Sequence, residues 1–232
     1  MEITIEIAKD ILEKAMKKGA TDGDIIVVDG RSSDVLVRLS SIDKITDSQY
    51  KTLGLRLFSG KKSAISSTSD FTPESLEKLI EDTCALARVT AHDEFAGLQL
   101  PRYRLKVKET DLYDDSVHQL TSEDMIEIAK TAEASAFKYD DRITNSDGGI
   151  CSKRFTHIVY AGTNNLSGEY KTSMFSISAT PIASADGLMQ RDYWYSSSRR
   201  FSQLDKPERI GETAAMRTVR RLGARKIHTQ QA

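Results

Sequence analysis

The chain has 232 residues, of which 39% are hydrophobic and 29% charged, with 13 Gly and only 4 Pro. That excludes a disordered, collagen-like or membrane chain and leaves an ordinary globular protein of one large or two small domains. Thirty-three Lys and Arg against 34 Asp and Glu give a formal charge of −1, so no global field draws the whole molecule onto nucleic acid or an anionic bilayer.

Two cysteines, Cys84 and Cys151, cannot staple a secreted scaffold, and Cys84 sits in an amphipathic helical pattern where a thiol acts as a small apolar group. The amino terminus, Met1-Glu2-Ile3-Thr4-Ile5-Glu6, carries acids where an export signal carries bases, and no apolar run approaches the ~18 residues of a membrane span. The expected location is the cytoplasm, with no membrane association. Asn165-Leu166-Ser167 matches a glycosylation acceptor but is read as a polar turn in a chain of this kind.

The first helix is expected from Ile3, Ile7, Ala8, Ile11, Leu12, Ala15 and Met16, with Lys14, Lys17 and Lys18 near its end and Gly19 stopping it. A four-strand meander then runs from Asp24 to Thr68, through 25–28, 35–39, 53–58 and 63–66. Its separators are Asp29-Gly30-Arg31, Asp43-Lys44 with Asp47-Ser48, and Ser59-Gly60-Lys61-Lys62. Thr72 as N-cap and Pro73 at the first helical position announce a second helix, apolar along Leu76, Leu79, Ile80, Thr83, Cys84 and Ala87 and ending near Val89. Residues 91–120 read as a connector with a weak strand at Tyr103–Val107.

A capping-box start at Thr121-Ser122-Glu123-Asp124 opens a third helix through Met125, Ile128, Ala129, Ala132 and Ala136. Asn145-Ser146-Asp147-Gly148-Gly149 reads as a turn, followed by strand segments at 154–160, 166–180 and 184–200. A last helix follows Asp205 and Pro207, carries Ile210, Ala214, Ala215, Val219 and Leu222 inward, and stops at Gly223. The order helix, strands, helix therefore occurs twice, and Ile5-Glu6-Ile7-Ala8-Lys9 recurs as Ile126-Glu127-Ile128-Ala129-Lys130. The expectation is an α+β fold of antiparallel sheets flanked by helices, built from a duplicated unit: residues 1–95, a connector at 96–120, residues 121–227, and a tail at 228–232.

Chemistry-bearing motifs are sparse. His92, His118, His157 and His228 each stand alone, with no ligand partner at helical spacing and no Cys-x-x-Cys, so no first-row metal site can be written from spacing. Gly148-Gly149 has no helix start behind it to cradle a phosphate. The serine runs 63–69 and 196–198 lack a glycine elbow, and Asp114-Asp115 and Asp140-Asp141 read as solvated charge beside helix ends. No catalytic or metal-binding residue is assigned.

Two features remain as candidate surfaces. Arg191, Tyr193, Trp194, Tyr195 and Arg199 form an aromatic strand bracketed by arginine, with Tyr193 and Tyr195 on one face and Trp194 on the other. Arg217, Arg220, Arg221, Arg225 and Lys226 form a basic patch at the end of the last helix, where positive charge complements exposed carbonyls. With no base-reading side chains beside it, nucleic acid is not the expected partner.

Several ordered segments resemble the TldD/PmbA family. They are Gly54-Leu55-Arg56-Leu57-Phe58-Ser59-Gly60 with Ser67-Thr68-Ser69-Asp70, Ala85-Leu86-Ala87-Arg88, Phe95-Ala96-Gly97-Leu98, Asp141–Ser146 and Arg221-Leu222-Gly223-Ala224-Arg225-Lys226. Asp192-Tyr193-Trp194-Tyr195-Ser196 and Pro207-Glu208-Arg209-Ile210-Gly211 are more similar to the PmbA (TldE) branch than to the TldD branch. The resemblance implies a cytoplasmic metallopeptidase complex, described earlier as a modulator of DNA gyrase, that cuts unfolded peptides, with zinc held by a His-Glu-x-x-x-His helix of a TldD-type subunit.

This sequence contains no His-Glu pair and stops at Ala232, where family members continue into a strand-rich second half. The resemblance thus covers an amino-terminal half. The implied role is a scaffold, dimer interface and peptide cavity, with no cofactor in this chain and zinc expected only in the TldD-like partner. That partner, or a second copy in a homodimer, is the expected assembly, and the chain alone is not expected to hydrolyse peptides. The alternative is a non-enzymatic protein- or DNA-binding module linked to gyrase.

Overall fold

The computed structural model describes residues 4–99 and 110–225. The weak strand expected at Tyr103–Val107 lies outside them, as do Lys226 and His228. Along the chain come α1 (Ile5–Lys17), β1 (Asp22–Arg38), β2 (Ser41–Ser59), β3 (Lys62–Thr68) and α2 (Pro73–Val89). They are followed by α3 (Ser116–Gln119), α4 (Ser122–Tyr139), β4 (Ile143–Gly162), β5 (Ser167–Ala185), β6 (Leu188–Arg191), β7 (Trp194–Ser198) and α5 (Pro207–Val219). The strands hydrogen-bond in the order β3-β2-β1-β4-β5-β6, and β7 also pairs with β5. The fold is α+β, an antiparallel sheet flanked by helices.

The helix starts follow local chemistry. Thr72 accepts from the Ser75 N–H with Pro73 behind it, and Thr121 and Asp124 form a reciprocal capping box. The strands depart from the sequence reading. The expected four-strand meander is three strands, because Asp29–Arg31 and Asp43–Ser48 stay in extended ladders, with the Asp29 carboxylate facing Lys51 at 3.6 Å. The chain reverses instead at Leu39-Ser40, where two non-glycine residues take φ values of +50° and +64°, the geometry of a tight hairpin turn. Residues 145–149, expected to turn, lie inside β4: Gly148 takes φ +116° without reversing the chain, and its N–H donates to the Ser146 hydroxyl at 2.7 Å. The connector holds the short α3, and α5 ends at Val219, four residues before Gly223 takes its left-handed φ of +75°.

Space groups the chain differently from its linear order, because the long strands β1, β2, β4 and β5 each contribute residues to two compact units. The first unit comprises 1–31, 49–112 and 156–172. Its core places Ala8, Ile11, Leu12 and Ala15 of α1 and Leu79, Ile80 and Cys84 of α2 on Ile25, Val27, Leu53, Leu55, Leu57, Val159 and Ala161. A part-buried polar network crosses its strands: the Arg56 guanidinium donates to both oxygens of the buried Asp24 (2.8 and 2.5 Å), and the Tyr160 hydroxyl donates to Asp24 at 3.0 Å. Burial, then the Asp24 charge, pushes the Tyr160 hydroxyl up to about 12.

The second unit comprises 32–48, 113–155 and 173–232. Met125, Ala129 and Ala132 of α4 and Ile210 and Ala214 of α5 pack on Val35, Val37, Cys151, Phe175, Ile177 and Ala179. Contact between the two helices is close because of small side chains. A methyl group on Gly211 would collide with the Ala132 carbonyl, and one on Gly149 with the Ala129 carbonyl, so α4 lies tight against both α5 and β4. From α4, Glu133, only 1% exposed, reaches the Leu39-Ser40 turn, accepting the Leu39 N–H on one carboxylate oxygen and the Ser40 N–H on the other, each at 2.9 Å.

Glu133→Ala removes both acceptors and leaves a buried void; at ~1.5–3 kcal/mol for each of the two hydrogen bonds to a charged group, the expected destabilisation is about 3–6 kcal/mol, with Glu133→Gln losing roughly half as much. Urea unfolding with an unchanged slope measures it. Cys84 and Cys151 are both buried, and burial pushes the Cys151 thiol up to about 12. Neither is expected to react with iodoacetamide at pH 8 in the native protein, and both should react in denaturant, as counted by intact mass.

Candidate functional site

In the second unit β5 alternates strictly. Ser173, Phe175, Ile177, Ala179, Pro181 and Ala183 are buried on the helix side, while Met174, Ser176, Ser178, Thr180 and Ile182 face away from it. On this second face Tyr195 stands directly across from Ser178 and Ser197 across from Ser176, and the Ser197 hydroxyl lies 3.3 Å from the Met174 sulfur. The result is a sheet face lined by small hydroxyls and bordered by aromatic rings, with no helix among the described residues packed on it.

Pro181 shapes the edge of that face. β6 pairs with Ile182–Ala185 and β7 with Phe175–Ala179, so Asp192 and Tyr193 fall opposite the stretch containing a residue without an N–H to give the ladder. The displaced backbone finds other partners. Asp192 N–H donates to the fully buried Thr218 hydroxyl at 3.2 Å, and Tyr193 N–H donates to the Asp192 carboxylate at 2.8 Å. Burial opposes the Asp192 charge, but the Tyr193 N–H and the Arg217 and Arg221 guanidiniums, at 3.3 and 3.5 Å, outweigh it, so this carboxyl titrates below the usual range.

Tyr193 and Tyr195 come out of this break stacked on each other, ring centroids 6.2 Å apart at 20°, and 55% and 53% exposed. Trp194 points the opposite way and packs against the core, with the Arg217 guanidinium 5.3 Å above its ring. Arg191 pairs with Asp147. Arg199 closes the far end of β7, where its carbonyl accepts the Ser173 hydroxyl at 2.7 Å. The single aromatic strand expected over 184–200 is instead two short strands, β6 and β7, with Asp192 and Tyr193 between them, because Pro181 breaks the ladder; Tyr193 and Tyr195 lie on one face and Trp194 on the other. The basic patch is divided: Arg217 and Arg221 are committed to Asp192, Arg220 and Arg225 are exposed, and Lys226 lies outside the described residues. Sequence reasoning missed Thr218 and Asp192 as the holders of Tyr193; the one available signal was Pro181 inside an alternating strand.

Among the described residues the side chains present do not fit a zinc ion. Among the described residues no three His, Cys, Asp or Glu side chains converge. The His157 ring faces Glu169 at 3.0 Å, and His118 packs on Phe155 with centroids 4.8 Å apart. The paired acids are structural: Asp114 accepts the Ser116 and Phe201 N–H groups, both at 3.0 Å, and Arg142 holds the Asp140 carboxyl at about 2. In the first unit a groove of about 570 Å³ between α1 and the start of α2 is lined by Ile7, Ile11, Phe71, Leu76 and Ile80 with Asp10, Glu74 and Glu77 at its rim. No helix of the described residues is long and apolar enough to cross a membrane.

Acidification tests the Asp192 clamp. A carboxyl whose folded value is depressed contributes stability above its unfolded value and loses it as pH falls through the folded one. The Arg217–Trp194 packing should therefore be constant near neutrality and loosen below the ordinary aspartate range. Fluorescence of Trp194, the single tryptophan, should shift at acid pH, and Asp192→Asn should show the shifted spectrum already at pH 7.

Comparison with known proteins matches residues 23–87 to the PmbA/TldA metallopeptidase domain 1 and residues 115–222 to the PmbA/TldA metallopeptidase central domain. Metalloprotease PmbA of Escherichia coli O157:H7 is 27% identical over 236 residues, covering 98% of this chain and 52% of the relative. A PmbA homologue of Buchnera aphidicola from Baizongia pistaciae is 33% identical over 74% of this chain and 38% of its own length. Among solved structures, a protein from Bacteroides thetaiotaomicron assigned as a modulator of DNA gyrase superposes with a TM-score of 0.88 at 26% identity, over 97% of this chain and 52% of that one. TldE of Thermococcus kodakarensis shares the fold, with a TM-score of 0.79 at 15% identity over 91% of this chain and 47% of its own. The chain spans about half the length of the curated relatives it matches most fully. It belongs to the PmbA/TldD metallopeptidase family.

Proposed function

We propose that this chain is the amino-terminal, non-catalytic region of a PmbA/TldE-like subunit, which presents a peptide-accepting surface to a TldD-type catalytic partner. The observation that carries the reading is the uncovered, hydroxyl-lined sheet face of the second unit with the exposed Tyr193–Tyr195 pair at its border. Small hydroxyls and rigid aromatic rings make contacts that depend little on side-chain sequence, which suits unfolded peptides of varied composition. Peptide hydrolysis at neutral pH needs an activated water and a stabilised oxyanion. In this reading those groups come from the partner, together with its zinc, and the complex works in the cytoplasm.

The DNA-binding alternative is weakened by the two arginines spent on Asp192. Phosphate neutralisation by what remains would still predict a steep loss of affinity with salt, so a gel shift over a salt series measures it.

Purified chain incubated with casein, with and without zinc, should leave the substrate intact, while a TldD-type partner should co-elute with it and cleave casein faster in its presence. Metal-dependent cleavage by the chain alone would refute the proposal.

A further inference from the structure

We infer that the outer edge of β7 is a strand-addition site for an extended, acidic peptide segment. Among the described residues β7 pairs with one strand only, Phe175–Ala179 of β5. Among the described residues the backbone of Trp194–Ser198 makes no backbone–backbone hydrogen bond outside that ladder. An edge strand exposes a row of N–H and C=O groups at alternate residues, and these match only another extended backbone. The groups that would blunt this edge are turned elsewhere. Ser196 and Ser198 bend back to the chain beyond β7, accepting the Asp205 and Arg200 N–H groups at 3.0 and 3.2 Å, and no lysine or proline stands in the strand.

Charge selects the occupant. Three carboxylates near the strand are held by guanidiniums: Asp147 by Arg191, Asp192 by both Arg217 and Arg221, and Asp205 by Arg209, while Asp114, beyond its carboxyl end, is taken up by the Ser116 and Phe201 N–H groups. Arg199, at the carboxyl end of β7, adds a further positive charge with no ion pair of its own among the described residues. The edge therefore has Arg199, without an ion pair among the described residues, at one end and the Asp147-paired Arg191 at the other, and the stacked Tyr193 and Tyr195 rings supply a rigid apolar wall on one side. A peptide pairing here would place alternate side chains against the tyrosines and its carboxylates toward the arginines. This deepens the peptide-accepting reading above and depends on it.

The probe is a fluorescein-labelled 12-residue peptide alternating Thr and Val with Asp or Glu, titrated with the whole chain by anisotropy at low salt. Comparison peptides are a Lys-for-acid isomer, an analogue N-methylated at alternate residues, and unlabelled denatured casein. The acidic peptide should bind at least tenfold more tightly than the Lys isomer and lose at least tenfold on N-methylation. Tyr193→Ala with Tyr195→Ala should weaken it about fivefold, and Arg199→Glu should abolish the preference for acid; the tyrosines are exposed and Arg199 half-buried, and circular dichroism verifies the fold of each variant. Equal binding of the N-methylated peptide, or of the Lys isomer, would overturn the strand-addition site. So would displacement by single-stranded oligonucleotide at lower concentration than by peptide. Casein bound by the chain and unaffected by the variants removes this edge while leaving the peptide-accepting role standing; no binding of casein or peptide removes both.

Discussion

The second unit depends on one buried carboxylate. Glu133 is enclosed in a helix whose other inward residues are Met and Ala, and its two oxygens take the N–H groups of a turn built from Leu39 and Ser40. Neither turn residue is one that tolerates positive φ cheaply, so the local sequence does not choose the turn; the acceptor from α4 does. Desolvating a carboxylate is costly, and two charge-assisted N–H bonds of 2.9 Å are what offset that cost. The register between β1 and β2 follows from where the turn is pinned, because a slip of one residue would move Val35 and Val37 from the core to the opposite face.

The position of α4 that makes this reach possible is set by absence of side-chain bulk. Gly149 and Gly211 let the helix backbone approach β4 and α5 to a distance that a methyl group forbids, and Ala129, Ala132 and Ala136 complete the contact. The helix is therefore held on two sides before its carboxylate is used on a third. Shape and charge act in sequence: close packing places the acid, and the acid then selects the turn.

Much of the architecture was legible in the sequence because it is written locally. Thr72-Pro73 and the Thr121–Asp124 box mark helix starts by groups that bond within a few residues, and the β5 alternation announces which face is buried. The failures share a cause. Asp29-Gly30-Arg31 and Asn145–Gly149 have turn composition yet remain extended, since ladder partners far away in sequence satisfy their backbone. The true reversal at Leu39-Ser40 has no turn composition, since its stabilising group is 94 and 93 residues away. At the candidate site, Tyr193, Trp194 and Tyr195 were found by their chemistry. Thr218 and Asp192, which aim them, carry no signature beyond a proline in the neighbouring strand.

That proline joins the fold to the proposed use of the edge. A continuous edge strand facing solvent would be open to indiscriminate pairing with other chains. Pro181 interrupts it, leaving β6 and β7 as two short pieces, and the displaced Asp192 and Tyr193 are fastened to α5 through Thr218 and two arginines. The interruption has two physical effects at once. It shortens the pairing-competent edge to the five residues Trp194–Ser198, and because the register with β5 is the same on both sides of it, Tyr193 stays on the face of Tyr195 and stacks against it, so that any strand approaching β7 must also accommodate that aromatic wall. Backbone pairing alone is unselective; the selectivity of this edge comes from the groups that the break brings beside it.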